Sequence, residues 1–430
     1  MNGMQTSYPR SLEDWLDYIE RQHPKSIDLG LERVREVAQR MGLRRPAKKV
    51  ITVAGTNGKG STVAFIEAIA RAAGWRVGAY TSPHLLHYNE RVRIDGADAA
   101  DAELVAAFEA VENARIETRL TYFEYGTLAA LWLFERRKLD LAILEVGLGG
   151  RLDAVNVVDA DVAVITTVDL DHQEWLGSGR ESIGREKAGI ARPGKPLVLG
   201  DDDPPSSVLG HAYAIGASAI RAGCDFFFDA GAGGEWRWRE IDFSLTLPMP
   251  SLAAPVQLRN AATAIAALRA LRKPLARAAY ARGVSEARLT GRLQRLDDHG
   301  VEIAIDVAHN PQAARELAAW LRQAPARGRT LAVFAALGDK DIAGVVAAVA
   351  GHVDAWFVAG LQEAGPRGLG IEAFAQRLEG GAAAGGDKFA DVGEALRAAR
   401  AQAQSGDRIL VFGSFHTVAA AMKALGDPSA

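Results

Sequence analysis

Apolar residues along the chain fall into short continuous runs alternating with stretches of helical period. Val50-Ile51-Thr52-Val53-Ala54 is a β-branched run ending at Gly55, the pattern of a strand buried on both faces. Val63, Ile66, Ile69, Ala70 and Ala73 then recur at helical spacing from Ser61, and Gly74 is placed to close that helix. Val77–Tyr80, Leu141–Val146 and Val162–Thr167 predict further strands, with an amphipathic helix over Tyr125–Arg136. Strands alternating with helices imply a mostly parallel α/β sheet. Between Gly200 and Leu258 the pattern changes to short runs at Phe226–Phe228, Glu235–Trp238 and Phe243–Leu247, which predict a small antiparallel element at about 220–258. Asn260–Leu271 returns to helix, with Asn260 as its expected N-cap.

A boundary is expected near Arg288–Gly300. Beyond it, Val301–Val307, Thr330–Ala335, Ala355–Ala359 and Arg408–Phe412 predict a second, smaller α/β domain, and the Gly- and Ala-rich Glu379–Asp387 predicts a surface loop. The expected organisation is a first domain over 1–290, a linker over 291–299 and a second domain over 300–425. For 430 residues, two domains is an ordinary number.

Composition narrows the function. Hydrophobic residues make up 48% of the chain and the net charge is −3, so neither disorder nor a nucleic-acid-binding surface is expected. One cysteine, Cys224, allows neither an intrachain disulfide nor a cysteine-built metal site. The polar N-terminus predicts no signal peptide, and no apolar run approaches a membrane span. A cytoplasmic protein is expected.

The chemistry begins where the first strand ends. Gly55-Thr56-Asn57-Gly58-Lys59-Gly60-Ser61-Thr62 joins that strand to a helix. Glycines let backbone N–H groups approach phosphate oxygens, a helix N-terminus adds positive potential, Lys59 supplies a charge, and Ser61 or Thr62 can hold Mg²⁺. The strict Walker spacing is not met, because its first glycine would fall at Val53 and Gly60 separates Lys59 from Ser61. A tight turn needing positive φ is the bland alternative; the flanking strand and helix favour an ATP or GTP site. Glu145 ends an apolar strand where a metal-binding acid would sit, and a solvated strand-end acid is its alternative. Ser82, before Pro83, and His172, after Asp171, also follow strand ends, the edge where α/β sheets place ligands. A turn serine and a structural histidine are the plain readings of these two. Gly147-Leu148-Gly149-Gly150 fails the dinucleotide fingerprint because Leu152 stands at its last position. Glu186-Lys187-Ala188-Gly189 by itself reads as a charged helix end.

Taken in order, AGTNGKGST (Ala54–Thr62), TSPHL (Thr81–Leu85), LTYFEYGTLAAL (Leu120–Leu131), LEVGLGGRLDA (Leu144–Ala154), LDHQEWLG (Leu170–Gly177), REKAGI (Arg185–Ile190), DVAHNP (Asp306–Pro311) and FGSFHTV (Phe412–Val418) resemble the bifunctional dihydrofolate synthase/folylpolyglutamate synthases, the folate branch of the Mur ligase superfamily. The match runs from about Ser11 to Ala421, and the shortened phosphate loop is the form this family carries. The resemblance implies a P-loop ATPase domain followed by a smaller Rossmann-like domain, with the active site in the cleft. It implies ATP-dependent addition of L-glutamate to dihydropteroate and to reduced folates through an acyl phosphate. ATP, one or two Mg²⁺ ions and, as an open point, K⁺ are the cofactors; the partners are these small molecules, with no nucleic acid or membrane, and the chain acts as a monomer. Gly55, Thr56, Asn57, Gly58, Lys59, Gly60, Ser61, Thr62, Asn260, Arg292 and Asp306 match ATP positions. Ser61, Ser82, Glu145, His172 and Lys187 match the metal region, Lys187 being the family's carboxylated lysine. Lys59, Lys187 and His309 match catalytic positions. Ser26, Ile27, Asp28, Leu29 and Gly30, with Thr121, Tyr122, Phe123, Glu124, Leu152, Asp153 and Ala154, match the pterin side. There Asp28 and Glu124 would accept from pterin donors while Tyr122 and Phe123 stack on the ring. Asn260 as a helix cap, Arg292 as a linker charge and His309 as a turn residue are the ordinary readings. Val155-Asn156, where Thr-Asn is expected, is a small departure, and Gly338-Asp339-Lys340-Asp341 fits a C-terminal loop near glutamate.

A cell-wall Mur ligase is the nearest rival, but only about 50 residues precede the phosphate loop, too few for its UDP-binding domain. A regulatory GTPase would carry an Asn-Lys-x-Asp guanine motif, which is absent. A scaffold protein would not need Lys59, Glu145 and His172 together.

Overall fold

The computed structural model describes residues 11–25, 27–231 and 233–426. The chain divides into two compact units. The first comprises residues up to His84, Tyr88–Met249 and Arg259–Ala287; the second comprises Leu85–His87, Pro250–Leu258 and the chain from Arg288 on.

The first unit is built on an eight-stranded sheet. Its strands are β1 (Ala47–Ala54), β2 (Val77–Tyr80), β3 (Val92–Ile94), β4 (Ala97–Asp98), β5 (Leu139–Glu145), β6 (Val162–Ile165), β7 (Pro196–Leu199) and β8 (Ser218–Arg221), in spatial order β4-β3-β2-β5-β1-β6-β7-β8. All neighbours from β2 to β8 pair in parallel, and β3 and β4 are antiparallel additions at one edge. β1 is buried from Val50 to Ala54 and β5 from Leu141 to Glu145, as expected for strands covered on both faces. The helix after the phosphate loop spans Lys59–Ala72. Trp75 N–H donates to Ala70 O (3.1 Å) and Gly74 N–H to Arg71 O (2.8 Å), the paired bonds that end a helix on a left-handed glycine. The helix Tyr122–Glu135 begins three residues before the periodicity predicts, because Thr121 and Glu124 form a capping box there.

The small antiparallel element consists of β9 (Phe227–Ala230), β10 (Glu235–Glu240) and β11 (Phe243–Pro248), in order β11-β10-β9. Trp236 and Trp238 alternate inward along β10, so their spacing sets its register. The following helix runs Gln257–Ala270, which puts Asn260 inside the first turn and not at the N-cap. Asn260 is buried, and its amide faces the phosphate loop.

The second unit carries a six-stranded sheet of β12 (Gln294–Asp298), β13 (Val301–Asp306), β14 (Thr330–Phe334), β15 (Ala355–Ala359), β16 (Asp387–Phe389) and β17 (Arg408–Phe412), in order β12-β13-β17-β14-β15-β16. β12 pairs antiparallel with β13; the rest are parallel. Residues 291–299 are thus not only a linker, since most of them form an edge strand. β12 escapes the hydrophobic pattern because Gln-Arg-Leu-Asp-Asp is exposed along most of its length. Apolar side chains cover both faces of this sheet, with Phe334 stacked on Phe412 at 4.8 Å. Among the described residues, no helix is long and apolar enough to cross a membrane.

Candidate active site

The strands β1, β2, β5 and β6 all end at one edge of the first sheet, and the predicted phosphate and metal residues lie there. The phosphate loop is latched to the segment after β6. Thr56 N–H donates to Thr167 O (2.8 Å), Thr56 Oγ1 to Asp169 O (3.0 Å) and Asn57 N–H to Thr167 Oγ1 (3.1 Å), while Thr166 Oγ1 donates to Asn57 O (2.6 Å). Two glycines are required by contact as well as conformation. A Cβ at Gly55 would stand 1.8 Å from Thr166 Oγ1, and one at Gly58 would stand 2.6 Å from Asn260 Oδ1. Gly58 has φ +84°, in the left-handed region, and its position caps the helix Lys59–Ala72. Lys59 Nζ donates back to Gly55 O (3.1 Å) and Thr56 O (3.3 Å), so the ammonium is held over the loop. Gly60 and Ser61 occupy the first helical turn, and Ser61 and Thr62 are buried; Thr62 Oγ1 has no hydrogen-bond partner.

Gly58→Ala should therefore damage both the loop and Asn260. The left-handed backbone alone costs alanine about 1–2 kcal/mol. A lowered melting temperature together with weakened ATP binding in calorimetric titration is the expected outcome.

Glu145, 4% exposed at the end of β5, accepts a hydrogen bond from Ser82 N–H (3.3 Å), which brings the ends of β5 and β2 together. His172 has φ +51° and ψ +40°, and its N–H donates to Asp171 Oδ1 (2.9 Å). No group of three or more His, Cys, Asp or Glu side chains forms a ready metal cage among the described residues. The expected donors instead mix the Ser61 and Ser82 hydroxyls, the Glu145 carboxylate, the His172 imidazole and Lys187, a set that, with Lys187 carbamylated, would suit a hard ion that keeps several waters.

The Gly147–Gly150 run that fails as a dinucleotide motif has a packing role. A Cβ at Gly150 would meet Glu186 O at 3.0 Å and Lys187 O at 3.1 Å, and one at Gly189 would meet Arg151 Cβ at 2.4 Å. Arg151 N–H donates to Glu186 O (2.9 Å), and Asn156 Nδ2 donates to Arg151 O (3.0 Å) and Gly189 O (3.1 Å). The loop after β5 is thereby stitched to the end of the helix Arg180–Ala188, which delivers Lys187 into the interior. Lys187 is 4% exposed; burial and the neighbouring Lys59 ammonium pull it down to about 7, against Asp171 and Asp153. Asp153 is buried too. It accepts from the N–H groups of Gly147 (3.0 Å), Leu148 (2.9 Å) and Val155 (3.1 Å), yet burial still pushes it up to about 6. Leu152 and Ala154 flank it, Ala154 opening a 3₁₀ turn.

The pterin-side residues form a neighbouring group. The Phe123 ring lies over Gly147, where a Cβ would stand 2.9 Å from it, and is 5.9 Å from the Tyr80 ring. Tyr122 meets Tyr88 edge-on at 5.8 Å, with the Arg91 guanidinium 5.4 Å from its ring. Asp28 and Glu124 are not open acceptors. Arg33 Nη1 donates to Asp28 Oδ2 (2.7 Å) and Lys25 Nζ to Asp28 Oδ1 (3.3 Å). Arg33 Nη2 donates to Glu124 Oε1 (2.9 Å), and Glu124 Oε2 accepts from Thr121 N–H (2.7 Å). Any hydrogen bond from a pterin to these two carboxylates would share them with Arg33. Ile27, Leu29 and Gly30 line the same irregular, half-buried segment, and Ser26 lies outside the described residues.

Arg292, Asp306 and His309 belong to the second unit and cluster within it. Asp306 accepts from the N–H groups of Leu293 (2.8 Å) and Ala308 (2.8 Å), and burial raises its pKa against the pull of Arg292. Arg292 lies 5.1 Å from the Phe415 ring, and the His309 ring is 6.3 Å from the same phenyl. Sequence reasoning missed Arg33, the Thr166–Thr167 latch, Asp171 and Arg91. Of these only Asp171 carried a signal, its place beside His172 after a strand end.

Comparison with known proteins identifies the family. Residues 53–229 match the Mur ligase middle domain, and residues 291–415 match the Mur ligase glutamate ligase domain. The dihydrofolate synthase/folylpolyglutamate synthase of Escherichia coli K12 is 47% identical over 415 residues, covering 96% of this chain and 95% of that protein. The structure of E. coli FolC in complex with DHPP and ADP superposes with a TM-score of 0.92 at 47% identity, covering 98% of this chain and 99% of that one. A bifunctional folylpolyglutamate synthase/dihydrofolate synthase with Mn, AMPPNP and L-glutamate bound gives 0.89 at 47% identity, covering 97% and 98%. With its fold and nearly its whole length shared with these proteins, the chain belongs to the dihydrofolate synthase/folylpolyglutamate synthase family of Mur-type ligases.

Proposed function

We propose that this chain joins L-glutamate to dihydropteroate, giving dihydrofolate, and to the γ-carboxylate of reduced folates, giving folylpolyglutamates, with ATP converted to ADP and phosphate. The observation that carries this reading is the buried edge where the phosphate loop, Glu145 and Lys187 come together beside the Tyr122–Phe123 aromatic pair. A carboxylate is a poor acyl donor, so one acceptor oxygen attacks the γ-phosphorus; the new O–P bond forms as the bond to ADP breaks. The glutamate amine, having lost a proton, then attacks the acyl carbon, and the C–O bond to phosphate breaks.

Phosphoryl transfer is catalysed mainly by positioning and charge neutralisation. Lys59 and the loop N–H groups hold the β- and γ-phosphates, and Asn260 braces Gly58. Ser61, Ser82, Glu145, His172 and a carbamylated Lys187 would hold Mg²⁺, which neutralises phosphate charge when bound. Arg292, Asp306 and His309 are assigned to nucleotide binding and catalysis on the family resemblance. Asp153, with Leu152, Ala154 and Thr121, supplies polar and shape contacts to the pterin, and Tyr122 and Phe123 supply the apolar surface. The chain is read as a cytoplasmic monomer.

The test is acceptor-dependent ADP release with ATP, Mg²⁺ and L-glutamate, using dihydropteroate, tetrahydrofolate and a UDP-muramoyl peptide in turn. Turnover with the two pterins and not with the peptide is expected. ADP release dependent on the peptide alone would overturn the reading, and parallel assays with and without K⁺ settle the monovalent ion.

A further inference from the structure

Arg33 is a polar residue at this site that no sequence motif predicts and no step above uses. It stands in the first turn of the helix Glu32–Arg40 and reaches Glu124, 91 residues away. Its guanidinium makes two kinds of contact to Asp28. Nη1 donates to the side chain (2.7 Å) and Nη2 to the main-chain carbonyl (2.7 Å), so the backbone is fixed as well as the charge. On the other side Nε (3.2 Å) and Nη2 (2.9 Å) both donate to Glu124 Oε1. Glu124 is a rigid anchor: it is 3% exposed and closes the capping box of the helix that starts at Tyr122. Burial works against the Arg33 charge, but the two carboxylates outweigh it and raise its pKa.

We propose that Arg33 is a positioning residue for the pterin end of the acceptor, holding Ile27–Gly30 against the helix N-terminus that presents Tyr122 and Phe123. The inference rests on the pterin assignment made above. Residues Ile27–Gly30 form no helix or strand, and Arg33 ties them to Glu124 across the sequence. The planar fork can satisfy a carbonyl and two carboxylates at once, whereas a lysine offers one point charge. Without any cation, Asp28 and the nearly buried Glu124 would face each other as like charges and push the segment away.

The test compares Arg33→Lys with wild type in the dihydropteroate assay. The lysine keeps the charge and loses the bridge. The expected result is a KM for dihydropteroate raised about tenfold or more, with kcat and the KM for ATP unchanged. Arg33→Gln is the second variant, since glutamine keeps a polar stem and loses both ion pairs; it should show the same split. If Arg33→Lys does not fold, Arg33→Gln decides. An unchanged KM for dihydropteroate in a folded variant overturns the inference, as does a parallel change in kcat and the KM for ATP, which would mark a merely structural clamp. Wild-type turnover of tetrahydrofolate without any of dihydropteroate would instead remove the pterin assignment itself.

Discussion

Lys59→Met is expected to lower acceptor-dependent ADP release by roughly a thousandfold or more while leaving the fold intact. The methionine keeps the unbranched stem, and the helix Lys59–Ala72 does not depend on the ammonium for its capping, which Gly58 provides through its backbone. What is lost is the charge that Gly55 O and Thr56 O hold over the loop. Arginine should not substitute, because its broader fork cannot occupy the place of a compact ammonium held by two adjacent carbonyls. There is a second route of damage. The Lys59 ammonium is one of the groups that depress the Lys187 pKa, so its removal lets Lys187 hold its proton to higher pH. Assays of Lys59→Met from pH 7 to 9 separate the two. A deficit relieved as pH rises would reside in Lys187, and a constant deficit in the phosphate contacts. Wild-type turnover with an unchanged melting temperature would remove Lys59 from the mechanism.

The parts of this site legible in the sequence are those whose chemistry is local. A buried β-branched run followed by closely spaced glycines and a lysine can be read as strand, loop and helix without knowing what packs against them. Glu145 could be placed for the same reason, since the apolar run before it fixes where β5 ends. Lys187 was readable only by family resemblance: its burial comes from the loop after β5, far earlier in the chain, pressing Gly150 against its helix. Asn260 shows how a local preference misleads. Asparagine favours N-caps, but the helix starts a turn earlier and tertiary packing turns the amide to Gly58. The ion pairs of Asp28 and Glu124 escape the sequence because their shared cation is Arg33, and no short-range pattern links 28, 33 and 124. The strand β3 and the edge strands β4, β12 and β16 are short or exposed and so carry little hydrophobic signal.

Lys187 carries the other large expected effect. A carbamate forms when a neutral amine attacks the carbon of CO₂, making an N–C bond and releasing one proton from nitrogen. An ordinary lysine near 10.5 is almost wholly protonated at neutral pH and reacts poorly; Lys187, lowered to about 7, holds far more of the neutral form there. The sign follows directly: the reactive form grows as pH rises through 7 and disappears below it. The product is an oxygen-bearing anion, which suits a hard divalent ion as an ammonium cannot. Lys187→Ala and Lys187→Arg should therefore both lose roughly a thousandfold in turnover, although arginine keeps the charge. Added short carboxylates such as acetate or formate should restore part of the activity of Lys187→Ala by supplying oxygen to the emptied space. Wild-type protein exchanged into CO₂-free buffer below pH 7 should lose activity and regain it with bicarbonate at pH 8, and ¹³C-bicarbonate should give a carbamate resonance absent from Lys187→Ala. If Lys187 acts as a cation instead, arginine should retain activity, turnover should fall as pH rises through 7, and a map at better than about 2 Å should show a bare amine.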